Sequence, residues 1–127
     1  MAGFGPRAYG RVSMRSGART PEELETLFED AFVVRDRMAL VALFEDAAVL
    51  GAGRLEAQGG EAIASLAGEL WERELTYLAD PHRVVQAGSS ALVLAAHGIN
   101  VVHRGGDGTW RYLISLLTLE SDSKENR

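Results

Sequence analysis

The chain has 127 residues, 46% apolar and 24% charged, the size and composition of one globular domain with a single core. It contains no cysteine, which excludes disulfides, thiolate metal sites and thiol nucleophiles, and no apolar run near the roughly 20 residues of a membrane span. The net charge of -5 is unevenly spread: residues 1–19 hold four arginines and no acid, so residues 20–127 carry nine basic groups against eighteen acidic ones, a poor partner for a nucleic-acid backbone.

Residues 1–19 read as a basic arm. Arg7, Arg11, Arg15 and Arg19 are interleaved with Phe4, Tyr9 and Val12, and glycines and Pro6 break any amphipathic pattern. The stretch lacks the continuous apolar segment of a signal peptide. The expectation is a disordered tail, or a true start at Met14, on a cytoplasmic protein; if ordered, the arm is held by the acidic body or by a second subunit.

The body, residues 20–120, opens on Thr20-Pro21-Glu22-Glu23, an N-cap, a Pro at the first helical position and a capping-box Glu. Leu24, Leu27, Phe28, Ala31 and Phe32 then form one apolar stripe, predicting a helix over 21–34. Asp36 caps a second, shorter helix filled by Met38, Leu40, Val41, Leu43 and Phe44, ending near Glu45-Asp46. A strand over 47–50 turns through Gly51-Ala52-Gly53 into a returning strand over 54–57. A third helix is predicted over 60–74, with Ile63, Leu66, Ala67, Leu70 and Trp71 buried. Beyond Asp80-Pro81 the pattern changes to strands: 83–87 and 91–97 around Gly88-Ser89-Ser90, then 99–104 and 109–119 around Gly105-Gly106-Asp107-Gly108. Residues 91–104 are either a hairpin turning at His97-Gly98 or one strand bent at Gly98. Residues 121–127 form a polar tail. Helices first and strands after predict an α+β domain, three N-terminal helices packed in a curved antiparallel sheet.

The order of these elements resembles the nuclear-transport-factor-2-like superfamily, and within it the small SnoaL-like and ketosteroid-isomerase-like bacterial domains. The residues that carry the likeness are Asp36, Leu43-Phe44, Asp46 and Ala48-Val49, then Gly60 and Ala62-Ile63, and finally Asp107-Gly108 with Trp110-Arg111. The resemblance implies a cystatin-like cone with a mainly apolar pocket between helices and sheet, a small organic ligand, and commonly a dimer through the sheet. It also implies a choice among isomerases, cyclases, dehydratases and plain binding modules. In the isomerases an Asp base works with a Tyr and a protonated Asp that stabilise an oxyanion. Aligned by motif, those positions fall at Gly51, Phe28 and Asn100, so only Asn100 keeps a hydrogen-bonding side chain, and no general base is identified.

Strand alternation with Arg104 opposite Thr109 would put Asn100, Val102, Arg111, Leu113, Ser115 and Leu117 on one face. The resemblance makes that the concave face. Trp110, Tyr112 and Ile114 would then lie on the outer face, large enough to predict a homodimer. The candidate ligand-binding residues are Asn100, Arg111, Ser115 and Leu113, with Phe28 and Trp71 as aromatic walls. Arg111 would bind an anionic oxygen or pair with Asp36 or Asp46; Asn100 would serve as an oxyanion donor or a turn cap; Ser115 has no base partner. His97 and His103 stand about 20 Å apart at strand rise, so the histidines predict no metal. No phosphate-cradling loop opens a helix, and no cofactor is expected. Three functions remain open: a small-molecule-binding domain, an enzyme stabilising an enolate, and a non-catalytic interaction module.

Overall fold

A computed structural model of the chain describes residues 17–119. In chain order the elements are α1 (Pro21–Val34), α2 (Arg37–Val41), β1 (Phe44–Ala52), β2 (Leu55–Gln58), α3 (Gly60–Glu72), β3 (Pro81–Ala87), β4 (Ser90–Ala95), β5 (Gly98–Arg104) and β6 (Trp110–Leu117). The class is α+β, with the helices packed on a six-stranded sheet.

Local chemistry sets the helix ends. Thr20 Oγ1 accepts from Glu23 N at 3.0 Å, while the Glu23 carboxylate reaches back one residue further than a capping box requires, to Arg19 N at 2.8 Å. Asp36 Oδ1 accepts from Ala39 N at 3.0 Å. The second helix is shorter than its apolar content suggests: Leu43 and Phe44 leave it, and β1 begins at Phe44, so the strand runs nine residues where the alternation predicts four.

The strands are ordered β2-β1-β6-β5-β4-β3. Four of the pairs are antiparallel; β1 and β6 run parallel, a long-range pairing that no hairpin signal announces. Residues 91–104 are a hairpin, with Ala95 opposite Gly98, and Asn100 still faces inward, next in that register to Val93.

One irregularity decides what the sheet presents to each side. Val101 pairs with Ile114, but Val102 pairs with Tyr112, leaving Leu113 as an extra residue on β6. The bulge resets the alternation. Trp110 and Tyr112 point inward before it, Ser115 and Leu117 point inward after it, and Leu113 and Ile114 are both exposed. The expected outer face of Trp110, Tyr112 and Ile114 is thereby corrected, because two of the three are core residues; Leu113 moves from the expected pocket to the surface.

Candidate functional site

The interior is built on α1. Pro21, Leu24, Glu25, Phe28, Ala31 and Phe32 are its buried residues, so an acid occupies a helical position reserved for the core. Glu25 is fully buried and accepts three hydrogen bonds. Tyr77 Oη donates to Oε1 at 2.5 Å, and Asn100 Nδ2 and Tyr112 Oη donate to Oε2 at 2.8 and 2.7 Å. Ser115 Oγ donates to Asn100 Oδ1 at 2.7 Å, which orients the amide so that its nitrogen faces Glu25. All three donors face a group that only accepts when ionised, and Oε1, with a single partner, retains acceptor capacity.

Aromatic rings surround this carboxylate. Phe28 meets Tyr77 edge-on at 4.8 Å between centroids and Tyr112 at 5.4 Å; Phe44 and Phe32 pack behind it, and Trp71 meets Phe32 at 5.6 Å. The Trp71 indole nitrogen is buried with no hydrogen-bond partner among the described residues. Burial, and then the Glu25 charge, push both the Tyr77 and Tyr112 phenols well above their usual range, so both remain protonated donors at neutral pH.

Four of the six sequence-predicted binding residues lie in this interior: Asn100, Ser115, Phe28 and Trp71. The other two do not. Leu113 is exposed by the bulge, and Arg111 sits half-buried at the rim, 3.4 Å from Asp107 rather than from Asp36 or Asp46. The Thr109 backbone N–H, with help from the Arg111 charge, holds the Asp107 carboxyl below its usual range. Gly51 is buried but faces away from the Glu25 side: it pairs with Leu116, and a Cβ there would meet Leu116 Cδ2 at 3.1 Å. The side chains that face inward beside it are Leu50 and Ala52, so β1 supplies no acid at this point.

Glu25, Tyr77 and Tyr112 are missing from the sequence-derived site. For Glu25 a signal exists: 21, 25, 28 and 32 are a helical stripe, and Glu25 is its charged member. Tyr77 lies in the segment between α3 and β3, where no periodicity positions it. Tyr112 is assigned to the wrong face because the bulge is invisible to alternation.

Neither a family model nor a curated protein matches the sequence. Solved structures do match its architecture. A ketosteroid isomerase-like protein from Erwinia carotovora atroseptica superposes with a TM-score of 0.65 at 20% identity, covering 79% of this chain and 93% of that one. An NTF2-like protein with a cystatin-like fold from Novosphingobium aromaticivorans gives 0.64 at 16% identity over 99% and 97% of the two chains. The chain has the cystatin-like fold of the NTF2-like proteins. A third match is a hypothetical protein with a ketosteroid isomerase-like fold from Catenulispora acidiphila in complex with trimethylamine, with a TM-score of 0.57 at 16% identity, covering 82% and 88% of the two chains.

Within the NTF2-like fold the site is closed. The aromatic rings occupy the space around Glu25, and Asn100 spends its amide donor on that carboxylate instead of presenting it to a developing oxyanion. The donor set suits holding an anion already present rather than stabilising one that forms during a reaction. Among the described residues no group of three acids or histidines could hold a metal, and no helix is long and apolar enough to cross a membrane.

Proposed function

We propose that the chain is a cytoplasmic, homodimeric small-molecule-binding module whose NTF2-like chamber receives a small organic cation at Glu25. The observation that carries this reading is a fully buried carboxylate inside an aromatic cluster, held by two phenol hydroxyls and an amide, with only neutral donors on it. Burying a charge without a basic partner costs several kcal/mol even when it is hydrogen-bonded, and such local departures from good packing concentrate at functional sites. Aromatic faces and a carboxylate together suit an ammonium group. The trimethylamine complex of the Catenulispora protein shows an amine held on this fold and supports the same chemistry here.

In this reading Tyr77 is the wall that a ligand must displace. It rides on the connection between α3 and β3, tethered to α1 by its own hydroxyl and by Ala79 N donating to Glu29 Oε1 at 2.6 Å. A ligand N–H that replaces the Tyr77 hydroxyl on Oε1 would leave the Asn100 and Tyr112 bonds to Oε2 intact. Calorimetric titration with trimethylammonium chloride, against tert-butanol as a neutral molecule of similar shape, tests this. Selective binding of the cation that falls at least about tenfold in Glu25→Gln is expected for a charge-assisted contact; equal binding of the neutral molecule, or none of either, would refute it.

The filled interior favours a second reading, a non-catalytic association module. The homodimer belongs to both, on a corrected surface: Val85, Leu92, Val101 and Ile114 form one apolar row across the outer sheet face, and Leu94, Ile99 and Leu116 the next. A two-fold contact on this face would be self-complementary. Light scattering on the eluting protein tests it: a dimer broken by Leu116→Lys supports the contact, whereas a monomer at all concentrations removes it.

A further inference from the structure

Beside its core face, α1 carries a second stripe that borders the start of β6. Glu23, Leu27, Asp30, Ala31 and Val34 follow one another at helical spacing and, with α2 and the start of β6, line a surface groove of about 980 Å³. Its floor is apolar, with Ala18, Ala31, Leu43 and Trp110. Glu23, Asp30, Asp36 and Asp107 supply four acids against one base, Arg111, which pairs with Asp107.

We propose that this groove is the docking site of the chain's own basic arm, residues 1–16. The described chain begins inside it: Gly17 and Ala18 are lining residues, and Ala18 bridges to Trp110. Gly17 holds φ at +41°, and a Cβ there would lie 2.6 Å from Thr109 Cγ2, so the backbone is pressed against the groove wall where the arm joins the body. Arg19 N, two residues on, is anchored to the Glu23 carboxylate at the N-terminal end of the groove.

Charge and length then agree. The arm brings Arg7, Arg11 and Arg15 with no acid, to a wall of four carboxylates. From Glu23 to Val34 the helix rises about 16 Å, and an extended chain covers the same distance in about five residues. Starting at Gly17, five residues lead to Val12. That stretch carries two arginines, Arg11 and Arg15, and two apolar residues, Val12 and Met14, a composition that matches the groove's acids and its apolar floor.

The absence of cysteine makes the test direct. In the full chain, Val12→Cys with Val34→Cys is compared with a control pair, Val12→Cys with Val85→Cys, whose second site is on the outer sheet face. Both body positions are exposed, and circular dichroism confirms that the variants are folded. Docking predicts an intrachain disulfide forming at least about tenfold faster in the first pair, from the raised effective concentration. High salt, or Arg11→Glu with Arg15→Glu, should remove most of that advantage. Equal rates in the two pairs would overturn the proposal. Disulfides mainly between chains would place a second copy in the groove instead. A fast intrachain bond indifferent to salt and charge reversal would refute the arginine pairing.

Discussion

The two faces of the sheet depart from a simple half-buried pattern in opposite ways, the inner by a few polar residues and the outer by several apolar ones. The inner face buries Asn100 and Ser115 against Glu25, each 1% exposed or less, whereas the outer face leaves Ile99 and Leu116 nearly half exposed. Asn100, Ser115 and Glu25 survive inside because each is hydrogen-bonded to another of the set, and the arrangement holds only while every member is present. The outer apolar side chains carry no such condition in the monomer, and their exposure is the ground on which a partner is proposed.

Breaking the inner network should therefore cost far more than altering the outer face. Glu25→Ala removes the acceptor of three buried donors, and a loss of about 3 kcal/mol or more in denaturant unfolding is expected, from roughly 1–3 kcal/mol for each donor left unpaired. Glu25→Gln, which keeps shape and one acceptor oxygen, should lose visibly less. A loss below about 1 kcal/mol in Glu25→Ala, within the ordinary spread of surface substitutions, would show that the network carries no weight.

Alkali provides a second probe of the same face. The Tyr77 and Tyr112 phenols are raised in the folded protein, so the unfolded chain gives up those protons first, near pH 10. Stability is full below that point and falls as pH rises, by up to about 1.4 kcal/mol per pH unit for each phenol. Lys124 is the single lysine, so few other groups titrate in this window. Unfolding midpoints between pH 9 and 11 should fall steeply in the wild type and more shallowly in Tyr77→Phe.

Removing a helix cap lies between the two faces in effect. Asp36→Ala should cost about 1 kcal/mol by freeing the Ala39 N–H at the start of α2. The smallest effect belongs to the outer face. Leu116→Lys should change monomer stability by no more than about 0.5 kcal/mol while abolishing any dimer. A large loss of monomer stability there would mean that the outer face also serves the fold.

What was legible in the sequence follows the reach of each signal. Thr20 and Asp36 act within four residues, and both caps are where the residues predict them. The hairpin glycines work at similar range, so the strands after Pro81 were readable. Longer-range features were hidden. The β1–β6 pairing joins residues more than 60 apart, and nothing in either strand names the other. The inward placement of Asn100 and Ser115 follows from alternation because parity holds around each; that of Arg111 and Leu113 does not, because parity fails across a bulge that exists only in the pairing with β5. Glu25 was overlooked although its stripe was in view, because an apolar pattern was read through its apolar members alone.

The extra residue at Leu113 has a further consequence for tracing descent. Tyr112, which donates to Glu25, and Ser115, which donates to Asn100, stand three apart and could not share the inner side of a regular strand; the bulge turns an odd interval into a shared side. Loss of that one residue would act on β6 as a frameshift acts on a reading frame, exchanging inside and outside for every position on one side of it. Sequences diverging from this chain are therefore comparable at their interiors only when the gap is set at this point, and a gap set two residues away would compare one protein's core with another's surface.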